Sequence, residues 1–361
     1  MNNKIIFEEL LKAGKIKVRE SNLFNVPVEI KTAVNFDKIE GMLLGVAIGD
    51  SLGFPTENMQ PHERLKAHGE VIDYLPIGDE TRGVPSDETQ FTMWTLEQII
   101  KDGYFDAEAA AGSFLNKKIL GMSKTIKEFL TNFHKHGKKW HEAGSGSANS
   151  CSMMRIAPVI LPHLKNNNGN LWIDAALCSM MTNNDSAAIA SCMALINLIL
   201  AAMDMEKAPE PMFWLDKFIE TLKEFETNFF YKPRCAAYRD YQGPLSGYLD
   251  KAVREAYNEN LTVLEACAKW QSGSYLLETV PCVIYILMKH ADSFENALIR
   301  AVNDTADNDT IAAIVGSVLG ALHGKSAIPK RWLDNLSGRT GVSDDGRIFE
   351  IISSAGEFMK R

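Results

Sequence analysis

The segment from residue 185 to 205, DSAAIASCMALINLILAAMDM, constrains the fold more than any other part of the sequence. It is long and nearly all apolar, so we expect a central helix that is buried on every side. Other segments repeat apolar residues at helical spacing, whereas alternating strand patterns are scarce. The sequence therefore predicts an all-α fold, a compact bundle of more than ten helices. The other helical segments are FDKIEGMLLGVAIGDSLG, SDETQFTMWTLEQII, PMFWLDKFIETLKEF, LLETVPCVIYILMKH, SFENALIRAVND and DTIAAIVGSVLGALHG.

The composition limits the kinds of partner. The chain has 361 residues, 46% of them hydrophobic, and a net charge of −8 with no long basic block. Such a chain is a poor match for nucleic acid or an anionic membrane, and no run reaches the roughly 20 apolar residues of a membrane span. The first residues do not resemble a signal peptide. Six cysteines without a CxxC pair are typical of a reduced, cytoplasmic protein with buried thiols.

Residues 1–36 differ from the rest and are predicted to form an N-terminal extension outside the main core, followed by one domain over 37–361. The stretch 21–35, SNLFNVPVEIKTAVN, contains a proline and several β-branched residues, which favour an extended segment. Its apolar residues can dock on a surface. One interpretation is an arm packed on its own domain, and the other is an arm that binds a partner.

Three clusters of acidic residues stand out. They are GDSLGFPTE with Asp50 and Glu57, PSDETQ at 85–90, and DTADNDTIAAIVG at 304–316. Taken singly, each has an ordinary explanation, because Ser86 followed by acids, or Asp307 before a helix, is what a helix start looks like. Taken together, clusters at helix ends can converge and offer hard oxygen ligands, including the hydroxyls of Ser86 and Thr310. About six such oxygens would suit Mg²⁺, whereas no Cys or His shares the spacing that zinc would need.

At these residues the sequence resembles the ADP-ribosylglycohydrolase family. The similar segments follow one another in the family's order over about residues 38–335, and the first and last are the most specific. The segments are GMLLGVAIGDSLGFPTE at 41–57, SDETQ at 86–90, MRIAPV at 154–159, TNNDSAAIASC at 182–192, GSYLLETVPCVIYIL at 273–287 and DNDTIAAIVGSVLGALHG at 307–324.

The resemblance implies a compact single-domain orthogonal helical bundle with a divalent metal centre. The implied cofactor is Mg²⁺, usually as two ions, with Mn²⁺ as an alternative. Glu57 and Asp307 would be the candidates for proton transfer. The loop near the distal ribose and phosphates would contain Asn149, Ser150 and Ser152, whereas Arg155 would meet either a phosphate or a carboxylate at the edge of the core. The implied metal ligands are Ser86, Asp87, Glu88, Asp307, Asp309 and Thr310.

The sequence also departs from the family pattern. Glu88 stands where the second aspartate is usual, Asn183 replaces a histidine, and Thr305 and Ala306 replace two glycines. Because glutamate is one methylene longer than aspartate, a metal would have to shift or the carboxylate bind differently. None of these changes removes an obvious metal ligand.

The resemblance implies hydrolysis of ADP-ribose from modified protein side chains, with arginine favoured, and reversal of a toxin's ADP-ribosylation. An alternative is an immunity protein that blocks an ADP-ribosyltransferase toxin through residues 21–35, where Glu29 would engage the toxin's NAD cleft, with or without hydrolysis. A third interpretation is a pseudoenzyme that only binds ADP-ribose.

Overall fold

The computed structural model describes residues 3–26, 28, 35–165 and 171–360. These residues form eighteen α-helices joined by short 3₁₀ turns, a π-helical turn over Thr131–Lys135 and loops, and no strands beyond isolated bridges. The predicted all-α fold is confirmed. The helices are α1 Asn3–Lys12, α2 Phe36–Gly53, α3 Pro61–His68, α4 Asp87–Asp102, α5 Ala107–Ser113, α6 Lys124–Leu130, α7 Trp140–Ala143, α8 Leu161–Lys165, α9 Leu171–Thr182, α10 Ser186–Asp204, α11 Pro211–Phe225, α12 Leu245–Asn258, α13 Val263–Trp270, α14 Leu276–His290, α15 Phe294–Asp304, α16 Asn308–His323, α17 Lys330–Asp334 and α18 Arg347–Lys360.

The apolar run at 185–205 is the core helix α10, as predicted. Asp185 caps it by accepting a hydrogen bond from the Ala188 backbone N–H at 3.1 Å. Contrary to the expectation that no run is long enough, this helix is long and apolar enough to cross a membrane, but 83% of its apolar window is buried inside the structure. It packs against α9, α11 and α16. Its hydrophobicity is therefore explained by the core of the bundle.

The helices α2 and α16 run antiparallel and touch along their whole length at a line of small residues, which we call the glycine seam. Gly41, Gly45, Gly49 and Gly53 of α2 face Gly320, Gly316, Ala312 and Asp309 of α16. A Cβ atom on Gly45 would lie 2.0 Å from the carbonyl oxygen of Gly316. The two backbones are thus in direct contact, and this contact brings the C-terminal end of α2 to the N-terminal end of α16.

The N-terminal residues belong to the core, which corrects the expectation that they lie outside it. Phe7, Leu10, Ile16, Val18 and Phe24 are all buried. The Phe24 ring lies 4.5 Å from that of Phe7 and 5.3 Å from that of Phe225, measured between centroids.

Residues 22–25 form a 3₁₀ turn and not an extended strand. The structure therefore matches the interpretation of an arm packed on its own domain as far as residue 26. Glu29 and most of the segment 27–35 lie outside the described residues.

Candidate functional site

The first half of the site follows directly from the end of the glycine seam. After Gly53 the chain makes a 3₁₀ turn over Phe54–Thr56, which ends at Glu57. A Cβ on Gly53 would lie 2.4 Å from the Cα of Asp309, so only glycine lets α2 end against the start of α16. The close contact places Glu57 beside the first turn of α16.

Arg64 fixes this loop from inside the protein. Its side chain is fully buried and donates hydrogen bonds to Thr56 Oγ1 at 2.9 Å and to the carbonyls of Met59 at 2.8 Å and Thr305 at 2.9 Å. It therefore joins the segment around Glu57 to the segment that leads into α16. Nothing in the sequence around Arg64 distinguishes it from a surface arginine, so sequence reasoning did not identify this residue.

Asp50 anchors the second half of the site, the N-terminus of α4. Its buried carboxylate accepts hydrogen bonds from the backbone N–H of Ser86 at 2.9 Å and of Thr89 at 3.0 Å, and it also contacts both hydroxyls. Ser86 and Asp307 occupy the N-cap positions of α4 and α16, but neither side chain makes a capping hydrogen bond. The two acidic helix starts are thus not explained by capping.

Glu88 links the two helix starts. One carboxylate oxygen accepts a hydrogen bond from Thr310 Oγ1 at 2.7 Å, and the other lies 2.7 Å from Ser86 Oγ. The longer side chain at this position therefore reaches across to α16 and is held there by hydroxyl groups. Asp87 and Glu88 are each 3% exposed.

Three carboxylates come together at the end of the seam. Oxygen atoms of Glu57, Asp307 and Asp309 lie within 4.8 Å of one another. Asp307 Oδ2 is buried and has no hydrogen-bond partner among the described residues. A set of hard oxygen donors with an unpartnered buried oxygen fits a divalent cation such as Mg²⁺. Glu57, expected near the metal as a proton-transfer residue, thus lies within the group that could bind the ion directly.

Burial and mutual repulsion disfavour ionisation of these acids in the absence of a cation. Burial, followed by the charge of Glu88, raises the pKa of Asp307 to about 8, and the same causes raise the pKa of Asp50 to about 8. Burial also raises the pKa of Asp87, Asp309 and Glu57. A bound cation would favour the ionised forms and oppose these shifts.

The loop predicted to meet the distal ribose is partly in place. Asn149 is partly exposed and accepts a 2.7 Å hydrogen bond from Asn183 Nδ2, so the residue that replaces the usual histidine positions this loop. Ser150 donates its backbone N–H to the Ser274 carbonyl at 3.0 Å. The loop is thereby joined to the segment that precedes α14.

Ser152 and Arg155 do not lie at a ligand surface, contrary to the expectation. Ser152 is fully buried and its hydroxyl contacts Ser179 and Cys192. Arg155 is also fully buried, and its guanidinium donates to the carbonyl of Cys178 and to Thr182 Oγ1, each at 2.9 Å. Among the described residues, the guanidinium of Arg155 thus pairs with a carbonyl and a hydroxyl group and with no carboxylate.

The family model for ADP-ribosylglycohydrolase matches residues 31–356. A protein of Archaeoglobus fulgidus described as uncharacterized is 30% identical, over 84% of this chain and 92% of that protein. The ADP-ribosylarginine hydrolase Tri1 of Serratia proteamaculans is 24% identical over 88% of this chain and 80% of its own length.

One further relative and one solved structure are also similar to this chain. The ADP-ribosyl-[dinitrogen reductase] glycohydrolase of Rhodospirillum rubrum is 22% identical, over 89% of this chain and 97% of that protein. A solved structure described as an ADP-ribosylglycohydrolase-related protein complex has a TM-score of 0.60 and 19% identity, and covers 90% of this chain and 98% of its own. That structure supports the fold. The chain belongs to the ADP-ribosylglycohydrolase family.

Proposed function

We propose that the protein is a Mg²⁺-dependent hydrolase that removes ADP-ribose from arginine side chains of proteins. The observation that carries the proposal is the convergence of Glu57, Asp307 and Asp309 within 4.8 Å. Family membership supports the removal of ADP-ribose, and the names of the Serratia and Rhodospirillum relatives include that activity. The choice of arginine follows the name of the Tri1 relative. Six free and buried cysteines favour a reducing, cytoplasmic setting.

The cation would be held by Glu57, Asp307 and Asp309, and Asp87 and Glu88 in the first turn of α4 are the candidate ligands of a second ion. Ser86 and Thr310 contact Glu88 through their hydroxyls, so in this structure they orient that carboxylate. When bound, Mg²⁺ supplies positive charge that holds ribose oxygens and makes a nearby water more acidic.

The protein's own residues then have to take a proton from the attacking water and deliver a proton to the departing arginine nitrogen. A water molecule adds its oxygen to the anomeric carbon of the distal ribose and gives up a proton, the bond from that carbon to the arginine nitrogen breaks, and the proton from the water passes to the nitrogen. Glu57 is a candidate to accept the proton of the water, and Asn58 Nδ2 orients its carboxylate through a 3.0 Å hydrogen bond. Asp307 is the second candidate for this proton transfer, because its Oδ2 has no hydrogen-bond partner in the part of the chain that the structure describes.

The test is release of ADP-ribose from an ADP-ribosylated arginine protein by the purified chain with Mg²⁺. We expect Asp309→Asn to lower kcat/KM by more than about 100-fold, because it removes one charge of the cation site. Asp304→Asn is the matched control, since Asp304 lies in the same stretch but pairs with Arg300 at 3.2 Å. If the wild-type protein releases no ADP-ribose from arginine, serine or small-molecule conjugates, the proposed hydrolase is wrong.

Toxin blocking through residues 21–35 is a separate prediction that requires a different test. Deleting residues 1–36 would remove Phe7, Leu10 and Phe24 from the core and destabilise the domain. The exposed side chains of Leu23 and Val26, 36% and 49% accessible, offer a milder change. If Leu23→Asp combined with Val26→Asp leaves toxin binding and toxin inhibition unchanged, this part of the arm does not act as a blocker.

A further inference from the structure

A cleft of about 1010 Å³ lies directly beside the carboxylate cluster. Its lining includes Asn58, which follows Glu57, and Ala306, which precedes Asp307. Ser272 and Glu278 line it from the side of α14. Its volume is at the upper end of the range of about 300–1,000 Å³ that is usual for small-ligand pockets. The cleft is therefore a place where a group attached to the distal ribose can lie.

Ser272 fixes the two sides of the cleft to each other. Its carbonyl accepts the backbone N–H of Asp307 at 2.9 Å, and its hydroxyl accepts the backbone N–H of Ala306 at 3.0 Å. The turn that contains Gly273 is thus held against the turn that presents Asp307. Groups on these two turns keep a constant separation, which is what recognition of one substrate requires.

Glu278 is an acidic residue of this cleft, and one oxygen of its carboxylate makes no hydrogen bond to the described residues. It lies in the first turn of α14, is 5% exposed, and its Oε1 has no hydrogen-bond partner among the described residues. A Cβ on Gly273 would lie 2.5 Å from Oε2, so glycine makes room for the carboxylate. A buried carboxylate oxygen without a hydrogen bond is unfavourable for the folded protein unless a ligand supplies a donor.

The neighbouring residues show which kind of donor fits. The guanidinium of Arg234 lies 3.7 Å from Glu278 Oε1 and 4.6 Å from the centre of the Tyr275 ring. This separation from the carboxylate is too long for a hydrogen bond. The Arg234 side chain is 65% exposed, so the pair contributes little stability and is readily displaced. Arg234 therefore shows that a planar cation can lie between a carboxylate and an aromatic ring here.

We propose that Glu278 and Tyr275 recognise the guanidinium of the modified arginine, which displaces Arg234 from this place. The inference rests on the proposed function and names the group that selects its substrate. A guanidinium can donate two hydrogen bonds to a carboxylate and stack on an aromatic ring. A serine conjugate offers no cation at this point. Glu278 thus acts as a specificity residue beside the metal cluster and takes no part in proton transfer.

The competing explanation is that Glu278 serves only the helix start. An acid in the first turn interacts favourably with the helix dipole, and the backbone of Gly273 hydrogen-bonds to it. In that case a glutamine would change stability and leave substrate selection unaltered. The two explanations therefore differ in their effect on KM for a cationic substrate.

The test compares Glu278→Gln with the wild-type protein in steady-state hydrolysis of an ADP-ribosylated arginine substrate with Mg²⁺. We expect KM to rise about tenfold or more, with a smaller change in kcat, because the charge-assisted hydrogen bonds are lost. Gly273→Ala provides a second variant that keeps the charge and displaces the carboxylate, and KM should rise in the same direction. The matched control is Glu108→Gln, which also removes an acid from the first turn of a helix but lies on α5 outside the lining of the cleft, and its KM should stay at the wild-type value.

Agmatine, a small guanidinium compound, separates this inference from the proposed hydrolase. We expect calorimetric titration to show millimolar binding to the wild-type protein and at least about tenfold weaker binding to Glu278→Gln. Equal agmatine binding by both proteins, or an unchanged KM in both Glu278→Gln and Gly273→Ala, overturns the role of Glu278 even if the wild-type protein is active. A wild-type protein that binds agmatine through Glu278 but releases no ADP-ribose would instead contradict the proposed function.

Discussion

The glycine seam and the carboxylate cluster are formed by the same two helices and the residues at their ends. The two regions differ in the forces within them, which are attractive along the seam and repulsive in the cluster. Along the seam, Gly45 and Gly316 allow the backbones to touch, and contact between uncharged atoms stabilises the pair. At its end, the carboxylates of Asp307 and Asp309 lie near Glu57 and repel one another. The seam therefore supplies the rigidity that keeps the cluster assembled.

The seam and the cluster should therefore respond differently to substitution. In the seam an added methyl group has no space, whereas replacing an acid by its amide in the cluster alters charge with almost no change of shape. We therefore expect seam variants to lose stability first and cluster variants to lose metal binding first. The predictions below separate these two outcomes.

The largest effect on stability should come from Gly316→Ala. A Cβ there would lie 2.2 Å from the carbonyl oxygen of Gly45, so the helices must move apart. We expect the free energy of unfolding in urea to fall by about 3 kcal/mol or more. Gly112→Ala in α5 is the matched control, because its Cβ meets nothing within 4 Å, and it should gain up to about 1 kcal/mol. Equal effects of the two substitutions would contradict the close contact of the seam.

Arg64→Met should have the next largest effect. It leaves the carbonyls of Met59 and Thr305 without their donor inside the protein. We expect a loss of about 2 kcal/mol in the free energy of unfolding, together with weaker Mg²⁺ binding. Arg254→Met, which removes exposed ion pairs to Asp216 and Asp250, should change stability by less than about 1 kcal/mol. If Arg64→Met leaves the free energy of unfolding unchanged, the loop around Glu57 is held by other contacts.

The pH dependence of stability should differ with and without the cation. The pKa values of Asp50 and Asp307 are raised to about 8, above their values in the unfolded chain. Their protonated forms therefore stabilise the metal-free protein fully below about pH 4, and this stabilisation is lost as the pH rises toward 8.

We expect the free energy of unfolding in EDTA, measured with urea, to fall by about 1.4 kcal/mol per pH unit for each of the two groups over this window, and saturating Mg²⁺ to reduce that slope. A metal-free protein whose stability rises between pH 5 and 8 would contradict the direction of these shifts.

The smallest effect should be that of Asp309→Asn on the metal-free protein. Removing one of several repelling charges should raise the free energy of unfolding at pH 8 by about 0.5–1 kcal/mol. Thermal unfolding should then show that Mg²⁺ raises the Tm of the wild-type protein and not that of the variant. An equal Mg²⁺-induced rise in both proteins would exclude Asp309 as a ligand.

Sequence reasoning predicted the acidic clusters because the residue types and their positions at helix starts are visible in the chain. It placed Asp50 in an acidic cluster without giving it a role and missed Arg64 altogether, since both roles depend on which backbone groups the side chains meet after folding. It also misplaced Ser152 and Arg155, because short 3₁₀ turns over Ser150–Arg155 aim successive side chains in directions that helical periodicity does not predict.

The apolar run at 185–205, the glycines spaced four residues apart in α2, and the acids at two helix starts determined the helical class and the helix ends at which the acidic groups lie. These features are local, because spacing along a helix decides which side chains share a face. Only the tertiary structure decided that the seam brings Glu57 to Asp309, and that Glu278 lies in the neighbouring cleft. Such distances depend on contacts between residues far apart in sequence, and on backbone groups that no side-chain pattern specifies.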